Sequence, residues 1–311
     1  MILLRGGKVL VETNNNNFIM QPKVDYCFKE LMKDLDVLKG FLSAVLEIDV
    51  KEITSVELLP TELSKLSNED KLGIIDVRVN MNNSEHIDME IQVAYYEFWQ
   101  ERSLFYLSKM FTEQIKAGDE YGKLNKCIHI GILNFNLFKN SKEYYSRFHL
   151  LEDTRHDMYS DKLEIHILEL PKIQYANEIS EEYSENALYD WCKFFSIESK
   201  EELDAMYGKN EYIDKACDHI VELSADEKKK LEYDIRFKAL SDYNTQMSSS
   251  YNRGVKAGIE QGIEQGIQQV TLNKVNIKLL KGKTAAQIAD ELEESLEYIN
   301  ECIRKIEDNN I

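Results

Sequence analysis

The sequence predicts an α/β protein: a mixed sheet in α-β-β-β-α-β order, one further strand, and an all-helical C-terminal extension. Three observations carry this prediction. Apolar residues recur at helical steps from Asp25 to Leu46. Strand-type runs cluster between residues 53 and 170, and two of them alternate apolar with charged residues. From Tyr175 to Asp308 no run of comparable strand character follows, and the whole chain holds only 3 prolines.

Residues 1–20, ending near Asn14-Asn15-Asn16-Asn17, read as a leader without regular structure, and Met20 is an alternative start to Met1. Phe28, Leu31, Leu35, Leu38, Phe41, Leu42 and Val45 then fall three or four apart, which predicts one amphipathic helix over 25–46. Strands are expected at Ile53–Leu59, Leu72–Val79 and Ile87–Ala94, with an Asn- and Ser-rich hairpin loop between the last two. Phe98–Gly118 reads as a helix ended by its glycine. Cys127–Phe135 is a nearly continuous apolar run, as in a strand covered on both faces. Leu163–Leu170 is a strand stopped at Pro171. The expected organisation is a leader (1–20), an α/β core (21–170) and a helical extension (171–311).

Within the extension Gly254, Gly258, Gly262 and Gly266 recur every fourth residue, beside Ile259, Ile263 and Ile267. Each glycine costs about 1 kcal/mol relative to alanine in an exposed helix, so four in the 254–268 segment need a reason. A self-association helix is one reading, and a low-complexity connector is the other.

Composition narrows the function classes. The 311 residues are 43% hydrophobic, enough for a core, and carry a formal charge of −18. No apolar run of transmembrane length occurs and no signal-peptide pattern opens the chain, so a cytoplasmic protein is expected. Five scattered cysteines without a CxxC fit a reducing compartment, and the dispersed histidines leave oxygen as the donor for any metal. Charge is uneven: residues 1–150 carry 18 basic and 22 acidic side chains, residues 151–311 carry 20 and 34, and within 99–147 the basic residues lead by 8 to 5. The acidic total argues against passive coating of nucleic acid, whereas the local excess permits a basic site.

Chemistry concentrates in the 72–79 and 87–94 runs. Alternation sets Asp88, Glu90 and Gln92 on one face of the third strand, and Asp76 with Arg78 on one face of the second. A hairpin centred on Asn83 pairs residues whose numbers sum to 166, which sets Asp76 across from Glu90. Opposed carboxylates repel, and a divalent cation such as Mg²⁺ removes that repulsion and takes oxygen ligands. Gln92 can orient water or bond a phosphate but brings no positive charge. A solvated polar face is the alternative. In the next helix Arg102, Lys109 and Lys116 fall seven apart, with Tyr106 between the first two: a phosphate-holding stripe, or a solvated face. His129 reads as a satisfied core histidine, Trp99 and Trp191 as packing anchors, and Lys228-Lys229-Lys230 as a solvated face.

Asp76, the Glu90-Ile91-Gln92 triplet and the element order resemble the PD-(D/E)XK, restriction-endonuclease-like fold. More specifically, the chain resembles the recombination-promoting nuclease family, also described as PD-(D/E)XK family transposases. The likeness runs from about residue 21 to 285. It rests on Lys23-Val24-Asp25-Tyr26-Cys27-Phe28-Lys29, Asp76-Val77-Arg78, Asp88-Met89-Glu90-Ile91-Gln92, Arg102 with Tyr106, Gly118-Asp119-Glu120-Tyr121 and the glycine-repeat helix with its Leu-Leu-Lys-Gly tail. The resemblance implies a Mg²⁺- or Mn²⁺-dependent DNA endonuclease. Asp76 and Glu90 would be metal ligands, with the Ile91 carbonyl as a third, and Gln92 would place water. Arg102, Tyr106 and Lys109 would contact the phosphate backbone or support the site. Gln92 stands where the wider fold has a lysine, and either Asp25 or Glu30 could supply the first helix's acidic residue. Partners implied are DNA and a second copy through the Gly254–Gly266 helix, and no membrane. The rival reading, favoured by the net charge and the missing lysine, is an inactive nuclease-fold protein serving as an interaction or assembly module.

Overall fold

The computed structural model describes residues 18–63 and 74–309. The 1–17 part of the expected leader, and Leu72 and Gly73 of the second strand run, lie outside the described residues. Phe18, Ile19 and Met20 do not continue the leader: Met20 is buried, and its N–H donates to Ser224 Oγ at 2.9 Å.

Six strands form one mixed sheet in the order β1-β2-β3-β4-β6-β5. They are β1 (Val56–Leu59), β2 (Val77–Met81), β3 (Glu85–Gln92), β4 (Lys126–Leu133), β5 (Tyr145–Leu151) and β6 (Met158–Glu169). Pairing is antiparallel at β1/β2, β2/β3 and β5/β6, and parallel at β3/β4 and β4/β6. Central β4 is buried on both faces, as its apolar run requires. The β2/β3 register pairs Val77 with Met89, the expected sum of 166. Asn82 and Asn83 turn the hairpin at φ 54° and 55°, a left-handed conformation that Asn tolerates.

β5 was not expected. This edge strand is mostly exposed, so its Tyr-Ser-Arg-Phe-His-Leu-Leu run carries no clean alternation. Two helices also differ from expectation. The 25–46 segment is two helices, α1 (Asp25–Leu31) and α2 (Leu35–Leu46). Asp34 restarts the chain by accepting from the N–H groups of Asp36 (2.9 Å) and Val37 (3.3 Å), a cap worth about 1 kcal/mol. The apolar stripe runs unbroken across both because both bury it in the same core. Helix α3 (Trp99–Thr112) stops six residues short of Gly118, which sits in a later turn at φ +93°. Lys116 therefore lies beyond α3 and joins no seven-residue stripe.

Short helices α4 (Ala176–Ile179), α5 (Glu181–Ser184), α6 (Ala187–Phe195) and α7 (Lys200–Asp204) follow, then α8 (Glu211–Ala225) and the long α9 (Glu227–Leu280). α10 (Ala285–Leu292) and α11 (Leu296–Asn309) complete the helical part. One sheet face, with Val77, Val79, Ile87, Met89 and Ile130, packs on Phe28, Phe41, Trp191 and Phe195 of α1, α2 and α6. These helices share the sheet's core, so the first compact unit runs to Leu240, past the division drawn at residue 170. α3 covers the opposite face through Trp99, Tyr106, Leu107 and Met110. From Ser241 a second unit has its own small core of Val275, Ile288, Ala289, Ile299, Cys302 and Ile306. Among the described residues, no helix is long and apolar enough to cross a membrane.

Candidate active site

The acidic face of β3 is not solvated. Asp88 and Glu90 alternate with the core residues Ile87, Met89 and Ile91, so they point to the other face, where α3 buries them almost completely. Carboxylates buried this way need partners. Asp88 Oδ2 lies 2.7 Å from His129 Nδ1, directly across the β3/β4 pair, and both side chains are fully buried. His129 is thus a core histidine satisfied at one nitrogen, while its Nε2 has no hydrogen-bond partner among the described residues. Although burial disfavours the imidazolium, the Asp88 carboxylate raises the pKa of His129 above its ordinary value.

Glu90 is bound from α3. Arg102 Nη2 donates to Glu90 Oε1 at 2.9 Å, and the guanidinium carbon lies 5.4–5.9 Å from the ring centroids of Tyr106, Tyr96 and Trp99. That aromatic box favours a planar cation. Burial still outweighs Arg102 and pushes the Glu90 pKa up to about 7. Glu90 Oε2 is buried and has no hydrogen-bond partner among the described residues.

Asp76 precedes β2, where pairing with β3 ends. Its Oδ2 accepts the Ile91 N–H at 3.1 Å, and its Oδ1 lies 2.8 Å from Lys29 Nζ of α1. Burial lowers the Lys29 pKa, but Asp76 and Asp25 more than reverse this and hold it above the usual lysine value. Asp76 and Lys29 line a cleft of about 630 Å³ together with Tyr26, Lys33, Arg78 and Arg236.

A family model described as PD-(D/E)XK nuclease family transposase matches residues 22–250. The chain belongs to that family. No curated protein and no solved structure matches it.

As in PD-(D/E)XK nucleases generally, the question is whether these groups suit a divalent metal. Among the described residues no cluster of three or more His, Cys, Asp or Glu side chains has metal-holding geometry. The donors near the hairpin end are oxygens: Asp76, the orphaned Glu90 Oε2 and the Ile91 backbone carbonyl. Two carboxylates completed by waters suit a hard cation such as Mg²⁺, so the residues fit.

The structure brings together Asp76, Ile91, Glu90, Arg102 and Tyr106. Gln92 turns away, its Nε2 donating to the Ala94 carbonyl at 3.1 Å. Lys109 lies over the Phe105 ring at 5.5 Å. Arg102 bonds Glu90. Sequence reasoning missed three parts: the Lys29–Asp76 contact, the Asp88–His129 pair and the aromatic box. Strand alternation already put Asp88 on the face of Glu90, but the approach of α1 to Asp76 depends on long-range packing. Of the expected solvated lysines, Lys229 pairs with Glu30 at 3.0 Å and Lys230 covers Phe18.

Proposed function

We propose that this chain is a metal-dependent endonuclease that hydrolyses DNA phosphodiester bonds, linked to recombination, mobile elements or defence. The observation that carries the reading is the convergence at one hairpin end of Asp76, bonded to the Ile91 N–H, and Glu90, whose Oε2 lacks a partner. Asp76, Glu90 and the Ile91 carbonyl would hold Mg²⁺ or Mn²⁺. The chemistry such a cation supplies is activation of water and neutralisation of charge on the phosphoryl group. Asp76 faces the cleft, so a cation it holds would meet a phosphate entering there. Glu90 must shed its proton to act as a ligand, and Arg102 favours that ionised form. Tyr106 and Lys109 steady this side of the site, and Gln92 reaches substrate water only by releasing Ala94. The cytoplasm, with DNA as partner, is the setting this activity needs, and a second copy would join through the Gly254–Gly266 helix.

One observation favours the assembly-module reading: Lys29 and Arg102 already balance both carboxylates. Plasmid cutting decides between the two. The parent protein should nick supercoiled DNA with Mg²⁺ or Mn²⁺, stop with EDTA, and lose the activity in Asp76→Ala and Glu90→Ala. A folded parent that cuts under neither metal would favour the module.

A further inference from the structure

The function proposed above leaves a chemical gap. A transferring phosphoryl group gathers negative charge, yet position 92 holds a neutral amide already engaged by the Ala94 carbonyl. Among the described residues four cations line the cleft, and three are turned to other carboxylates. Lys33 pairs with Glu30, Arg78 with Glu113, and Arg236 lies 3.9 Å from Asp25. Lys29 differs, because its Nζ is 2.8 Å from Asp76 Oδ1 and 3.5 Å from Asp25 Oδ2. Its side chain is 37% exposed on the cleft that Asp76 lines.

The sequence explains why α1 points this residue there. Cys27, Phe28 and Leu31 are completely buried in the core, which fixes the rotation of the helix about its axis. Lys29, about 100° round from Phe28, then falls between the core and solvent, on the side facing Asp76.

We infer that Lys29 is a catalytic residue, supplying from α1 the ammonium that strand position 92 lacks. The inference rests on the nuclease reading and names the cation of that site. An ammonium has three donors; Asp76 and Asp25 account for two, which leaves one for a phosphate oxygen or the attacking water. In the hydrolysis the water oxygen forms a bond to phosphorus and the bond to the leaving oxygen breaks. The water gives a proton to solvent and the leaving oxygen takes one from solvent. Lys29 neither gains nor loses a proton, and acts through charge and hydrogen bonding.

A lysine that only neutralised Asp76 would behave differently. Its removal would free the carboxylate, strengthen cation binding and leave cutting unslowed. The test uses full-length protein, plasmid cutting at saturating Mn²⁺, and calorimetric binding of Mn²⁺ alone. Lys29→Met is expected to lower kcat by about 100-fold, the scale of losing one preorganised donor to a charged transition state, while Mn²⁺ binding is not weakened. Lys29→Arg, which keeps the charge, is expected to stay within about tenfold of the parent in kcat. A parental kcat in Lys29→Met overturns the inference, as does Lys29→Arg being as inactive as Lys29→Met. If circular dichroism shows Lys29→Met unfolded, Lys29→Gln replaces it, and a parental kcat there counts equally against the inference. Failure of the nuclease reading has a separate signature: the parent does not cut, or Asp76→Ala cuts as the parent does.

Discussion

Arg102 bonds Glu90 at 2.9 Å, yet Glu90 keeps a pKa near 7 because it is 1% exposed. In the unfolded chain this carboxyl ionises near its ordinary 4.5. Between these values the folded state holds a proton that the unfolded state has lost, so this group's contribution to stability falls as pH rises from 4.5 to 7. The full cost is roughly 3 kcal/mol above that window, at 1.36 kcal/mol per pKa unit. Glu90→Gln cannot ionise and should lack this slope. Chemical denaturation at pH 5 and pH 8 should show the variant gaining on the parent as pH rises; a constant difference would refute the assignment.

The same ionisation governs cation binding. A ligand carboxylate must be deprotonated, so Mg²⁺ should raise the parent's melting temperature more at pH 8 than at pH 6. Glu90→Gln should lose most of that difference. Differential scanning fluorimetry across a Mg²⁺ titration reads both effects.

Arg102 in its aromatic box is not replaceable by lysine. Lys lacks the planar fork that reaches Glu90 while stacked among Tyr96, Trp99 and Tyr106. Arg102→Lys should destabilise by about 1–2 kcal/mol, discounted because Arg102 is itself 30% exposed. It should also weaken Mg²⁺ binding near pH 7, because an ammonium that does not reach Glu90 no longer donates the hydrogen bond that favours its ionised form. Unchanged binding would show that Arg102 serves packing alone.

The hairpin register was legible because Asn82 and Asn83 mark the turn and alternation fixes the faces. That arithmetic alone brought Asp76 to Glu90's end of the sheet. What alternation could not show is what covers the acidic face. Ser103, Tyr106 and Met110 place α3 on it, and a solvated strand would have looked the same in sequence. The partner of Lys29, which the sequence leaves as a solvated residue or one half of a salt bridge, was hidden for a related reason: its position beside Phe28 gives its helix face but not the strand that face meets. β5 escaped because an exposed edge strand needs no periodicity.

Gly131, paired with Glu90 across β3/β4, lets Trp99 lie close against the sheet. An added Cβ would sit 2.8 Å from Trp99 Cζ2 and 3.1 Å from Ile167 Cδ1. Trp99 is fully buried and forms one wall of the Arg102 box, so it cannot simply move away. Gly131→Ala should cost about 1–3 kcal/mol, as overpacking does, and should lower cutting through Arg102 and Glu90. Denaturation with a parental midpoint would refute the close approach.

The glycine-repeat helix gives a prediction whose sign separates two states. Ile259, Ile263 and Ile267 are 58–62% exposed, and among the described residues a Cβ on Gly254, Gly258, Gly262 or Gly266 meets no atom within 4 Å beyond its own stretch of helix. If α9 is a lone connector there, Gly258→Ala and Gly262→Ala each add helix propensity worth about 1 kcal/mol and change nothing else. If two copies pack glycine against glycine, the same methyl groups push the backbones apart. Self-association predicts that the double alanine variant is more helical as a monomer yet dimerises at least about tenfold more weakly, a change of about 1.4 kcal/mol. Ile263→Asp should weaken the dimer as well, by burying a charge. Sedimentation equilibrium on the parent and both variants reads the outcome, and a parent that stays monomeric at all concentrations makes the repeat a connector.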